Sequence, residues 1–145
     1  MWKYACISLL LLAPAGAADH PDLAGKWLLD AARSQIRDSK LKSESLDIAQ
    51  NEDEVAVSDA VDTGGKQEKV EYKCLADGNT CKAKNVSVMV YYNGPALVVL
   101  EMRKNNEIVV KKRITASDDG KTLNVSVNHV APQGLKDETL IFVKQ

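Results

Sequence analysis

Ile108-Val109-Val110-Lys111-Lys112-Arg113-Ile114-Thr115-Ala116, then Ser117-Asp118-Asp119-Gly120-Lys121, then Thr122-Leu123-Asn124-Val125-Ser126-Val127-Asn128-His129, reads as two β-strands joined by a tight turn. β-Branched residues suit strands, and Asp and Gly tolerate the backbone a tight turn requires. Setting Ala116 against Leu123 puts Ile114 opposite Val125, Lys112 opposite Val127 and Val110 opposite His129. All the apolar partners then share one face. A slip of one residue would send them to the other face, so the pattern specifies its own register.

The same signature recurs on either side. Thr63-Gly64-Gly65, Asp77-Gly78-Asn79, Asn93-Gly94-Pro95 and Asn105-Asn106 separate β-branched runs at fairly even spacing. Strands are predicted near 25–30, 44–50, 54–60, 66–74, 81–92, 96–104, 107–117, 121–130 and 136–144. Leu46 and Ile48 alternate with polar residues, as do Val55 and Val57. Pairing across Asn93-Gly94 sets Val90 against Leu97 and Val88 against Val99. Short strands joined by tight turns predict an all-β fold, an antiparallel up-and-down barrel of about eight strands. Closure removes exposed sheet edges. Only Asp30 to Ser43 breaks the pattern. Asp30 caps a short helix through Ala31, Ala32 and Arg33, and the segment crosses one end of the barrel as a plug or a lid.

The N-terminus reads as an export signal. Lys3 precedes the apolar run from Ala5 to Ala13, and Ala15 and Ala17 fit cleavage after Ala17. The run is shorter than the ~20 apolar residues a membrane helix needs. Residues 1–17 are therefore set apart as a signal peptide, 18–145 form one domain, and the expected compartment is periplasmic or extracellular. Cys74 and Cys81 are then the remaining cysteines, an even count that predicts a disulfide in an oxidising compartment. The net charge of -1 comes without a basic stripe carrying interleaved aromatics, which argues against nucleic acid.

Gly25-Lys26-Trp27, opening the first strand before the meander, resembles the start of the lipocalin-like (calycin) barrels. Leu29-Asp30-Ala31-Ala32-Arg33-Ser34, Ser117-Asp118-Asp119-Gly120-Lys121-Thr122-Leu123 and Val143-Lys144-Gln145 are similar to stretches of small exported bacterial members. The resemblance implies a lumen able to hold a small apolar molecule, with Gly25 and Trp27 as structural residues. In such barrels the Trp packs at the closed end under a late-strand Arg. Here the last strand offers Lys136 and Lys144 instead.

No G-x-S-x-G, H-E-x-x-H or phosphate-binding Gly loop occurs, so no enzyme, cofactor or metal chemistry is expected. Lys112 shares the apolar face with Val110 and Ile114, and His129 lies diagonally across from it, within reach of a long side chain. The two are the candidate ligand-binding residues, a polar spot suited to an anionic or fatty-acid-like head group in an aliphatic lumen. Met89, Tyr91 and Val98 share the opposite face and form a candidate surface for self-association. The expected function is binding of a small apolar or amphipathic ligand in the lumen. The alternative is a periplasmic protein-interaction or inhibitor-type barrel with a packed lumen. Val70-Glu71-Tyr72-Lys73-Cys74 has a faint likeness to bacterial lysozyme-inhibitor barrels, although their Ser/Gly-rich inhibitory segment is missing.

Overall fold

The computed structural model describes residues 20–37, 40–84 and 86–145. The signal-peptide reading of residues 1–17 lies outside them. Among the described residues no helix is long and apolar enough to cross a membrane.

Ten strands form one antiparallel sheet: β1 (Gly25–Leu29), β2 (Ser43–Asn51), β3 (Glu54–Asp62), β4 (Gln67–Leu75), β5 (Asp77–Lys82), β6 (Ser87–Asn93), β7 (Ala96–Met102), β8 (Ile108–Ala116), β9 (Thr122–His129) and β10 (Glu138–Lys144). Consecutive strands pair, β1 pairs β10, and the spatial order is β4-β3-β2-β1-β10-β9-β8-β7-β6-β5. This is an up-and-down barrel closed everywhere except between β4 and β5. Those two strands lie side by side without a hydrogen-bonded ladder, and the Cys74–Cys81 disulfide joins them.

The strand count is ten where about eight were expected. The run near 81–92 is two strands, because Ala83 N–H donates to Val86 O and turns the chain after Lys82. Asp77-Gly78-Asn79 does not separate two strands but lies within β5. Asp77 opens β5 and pairs with Tyr91.

The β8–β9 register is the expected one: Ala116 faces Leu123, Ile114 faces Val125, Lys112 faces Val127 and Val110 faces His129. The β6–β7 register differs by two residues. Val90 faces Val99 and Tyr92 faces Leu97, because the turn falls on Gly94-Pro95, where Gly94 has φ 57°. A shift of two keeps each side chain on its face, so Val88, Val90, Leu97 and Val99 still line the core. Val98, on the outer face, is only 1 % exposed, flanked in register by Tyr91 and Arg113. Met89 and Tyr91 are half-buried, so these three do not form a continuous open apolar surface.

The interior has two levels. The lower level is apolar, built on Trp27, Ile48, Val55, Val90, Leu97, Leu123 and Phe142. Its floor is sealed by the segment preceding β1. Leu23 is fully buried, its N–H donates to Gln50 Oε1 at 2.7 Å, and its carbonyl accepts from Trp27 Nε1 at 3.0 Å. Gln50 Nε2 also donates to Pro21 O and to Tyr92 Oη, and His20 stacks on the Tyr92 ring. Of the two lysines the last strand region offers, Lys144 meets Trp27, with Nζ 5.4 Å from the centre of the ring. Gly25 adopts φ 139°, and a Cβ there would approach the Lys144 side chain at 3.0 Å. Both observations explain the Gly-x-Trp spacing physically: the glycine admits the turn of chain that places the indole at the floor.

At the other end Asp30 caps a single 3-10 turn, Ala31–Arg33, as expected, accepting from Arg33 N–H at 3.3 Å. The following residues are tied to β10. Ile141 N–H donates to Ser34 Oγ at 2.8 Å, and Gln35 bridges to Thr139. Ile36 packs half-buried against the core at this mouth.

Candidate functional site

The upper level of the interior, below the mouth, carries the charged side chains. Strand alternation puts them there. Glu44 continues the inward series of Leu46 and Ile48, and Asp59 that of Val55 and Val57. Glu101 follows Leu97 and Val99 on β7, and Glu138 precedes Leu140 and Phe142 on β10. Lys112 and His129 face inward as the register required. The four carboxyls were not anticipated. Extending each apolar alternation by two positions was the signal that could have found them.

Lys112 Nζ lies 3.1 Å from Asp59 Oδ2 and 3.3 Å from Glu101 Oε1, with its side chain 20 % exposed. His129 Nε2 lies 3.0 Å from Glu138 Oε1. The two predicted ligand-binding residues thus share the charged layer, yet each is held by the chain's own carboxylates. The counter-ions assigned to a ligand on sequence grounds are built in. Burial opposes charge on Lys112, but Asp59 and Glu101 outweigh it and raise its pKa well above the ordinary value. Burial, reinforced by the charge of Asp59, pushes Glu44 up to about 8. Burial also raises the Tyr72 hydroxyl.

Asp59 Oδ1 is buried and, among the described residues, accepts from no N–H or alcohol group; the Glu44 carboxyl lies within hydrogen-bonding reach of Asp59, and the proton that Glu44 retains bridges the two. Asp59 borders an interior cavity of about 20 Å³ lined by Glu44, Asp59, Tyr72 and Lys112 on the polar side and by aliphatic residues and Phe142 below. That is room for about one water-sized group. Above it, at the mouth, a wider pocket of about 740 Å³ lies between Ile36, Arg37, His129, Leu135 and Glu138. Glu138 lines the mouth pocket, and its charge also raises the pKa of Glu44. Exposed Leu135 and Val130 give this end an apolar rim. Among the described residues no cluster of His, Cys, Asp and Glu has the arrangement of a metal site.

No sequence-family model and no curated protein matches the chain. Solved structures do. A REP1-NXSQ fatty acid transporter superposes with a TM-score of 0.60 at 13% identity, over 86% of this chain and 96% of its own. A mutant of the fluorescent protein UnaG gives 0.59 at 16%, over 84% and 95%. Fatty-acid-binding protein 1 of Echinococcus granulosus gives 0.59 at 10%, over 83% and 96%. At these identities the likeness is one of fold: an antiparallel, nearly closed up-and-down barrel.

Proposed function

We propose that this barrel binds one small amphipathic molecule. The molecule enters at the mouth, sets its polar head against the buried charged layer and leaves its apolar part in the mouth pocket. The observation that carries this reading is the charged layer itself. Removing ions from water costs several kcal/mol each, and well-packed aliphatic side chains at these positions would stabilise the fold better. Perturbed ionisable groups gathered beside a concave opening mark a site rather than a core. The fold agrees with such a use, since two of the similar structures are named for fatty acids. Lys112 and His129 hold the carboxylates in place within the site. We read the chain as exported, on the strength of Lys3, the apolar run to Ala13 and the Ala15/Ala17 pair.

The test is native mass spectrometry of the protein purified without detergent, before and after solvent extraction. A small molecule lost on extraction and regained on addition supports the reading. A bare mass with no uptake from a panel of short-chain amphiphiles overturns it. A second reading, an interaction barrel with a packed lumen, is favoured by the small interior cavity. It predicts that bare mass and no change in stability with any amphiphile.

A further inference from the structure

The interior is the wrong sign for a carboxylate. Four carboxyl groups, Glu44, Asp59, Glu101 and Glu138, face one lysine and one histidine. Lys112 already has two carboxylate partners and His129 has one. An incoming carboxylate would meet Asp59 and Glu101 beside Lys112, and like charges at close range disfavour it. The side chain of Asp59 is nine-tenths buried, and among the described residues its second oxygen meets no donor other than the proton that Glu44 holds. That oxygen borders a cavity the size of a single small polar group.

We propose that the ligand of this site is an amphiphile headed by a primary ammonium, which seats between Asp59 and Glu44 while its alkyl chain runs past Glu138 into the mouth pocket. An ammonium group is close to water in size and carries three donors and no acceptor. It would replace the proton shared by Glu44 and Asp59 and donate to both carboxylates together. A hydroxyl has one donor and no charge, and a carboxylate has no donor.

The groups facing Glu44 are Asp59 on β3, Lys112 on β8 and Glu138 on β10, with Tyr72 on β4 and Glu101 on β7 gathered around Lys112. Arg37 and Lys136 stand at the rim, exposed to water, where salt screens them. An ammonium arriving beside Glu44 takes the place of the proton that Glu44 otherwise holds. Binding therefore releases a proton, and affinity rises with pH by up to about tenfold per unit on approaching pH 8.

This inference rests on the amphiphile-binding reading, and one titration series separates the two. Octylammonium, octanoate and octanol, each below its micelle concentration, are titrated into the protein by calorimetry at pH 6 and pH 8. The expected order is octylammonium tightest, by about tenfold or more over octanoate, with a tighter fit at pH 8. Asp59→Asn should reduce that preference at least tenfold while leaving octanol binding in place. Glu44→Gln, close to isosteric, should abolish proton release, measured in two buffers of different ionisation heat. Octanoate binding as tightly as octylammonium, or octylammonium binding unchanged by both substitutions, overturns the ammonium assignment and leaves the amphiphile reading standing. Binding of none of the three overturns both.

Discussion

Replacing Glu44 by glutamine tests the charged layer without any ligand. In the unfolded chain this carboxyl ionises near 4.5, and in the folded barrel it holds its proton to about pH 8. Between those values the native state retains a proton that the unfolded state has lost. Stability therefore falls as pH rises through this window and levels off above it. The full rise corresponds to on the order of 5 kcal/mol, an upper figure because relaxation and water entry reduce it. Lys112 does not blur the measurement, since its raised pKa contributes a constant amount until well above neutral pH. The glutamine side chain is neutral throughout and can still donate toward Asp59. Urea unfolding followed by Trp27 fluorescence at pH 5, 7 and 9 should show the native protein losing several kcal/mol. Glu44→Gln should match it near pH 5 and exceed it at pH 9. Parallel decline of the two proteins, or a flat profile for the native one, would refute the claim that Glu44 is buried as an acid.

Reduction of Cys74–Cys81, or Cys74→Ala with Cys81→Ala, should cost about 2–3 kcal/mol by the chain-entropy argument for a short loop. It should also speed hydrogen exchange in β4 and β5, because nothing in the ladder holds that seam; unchanged exchange there would count against the staple. Trp27→Phe leaves the Leu23 carbonyl without its donor and opens space at the floor, for an expected loss of about 2–4 kcal/mol in denaturant unfolding. Gly25→Ala must hold φ 139° with a Cβ against a flexible lysine end, so the expected cost is backbone strain of about 1–3 kcal/mol, read as a lower thermal midpoint.

Much of the barrel was legible along the chain. Strand periodicity is local, and the hairpin from Ile108 to His129 stated its register through the face its valines and isoleucines share. Gly94-Pro95 shows the limit. The alternation around it survives a shift of two, so it could not tell which pair of residues makes the turn. The division of 81–92 into β5 and β6 was hidden because polar residues near Lys84 fit an outward strand face as readily as a turn.

The candidate site divides in the same way. Lys112 and His129 were visible because each interrupts an apolar face on one hairpin. Glu44, Asp59, Glu101 and Glu138 lie on four strands far apart in sequence, and each reads locally as one more solvated acid. Only the closed sheet brings them around one lysine, where burial turns Glu44 into a proton holder and leaves an Asp59 oxygen facing a cavity. Alternation along a strand determines which way a side chain points. The charge, volume and solvation of the space it points into depend on side chains from strands distant in sequence, and those are decided only when the barrel closes.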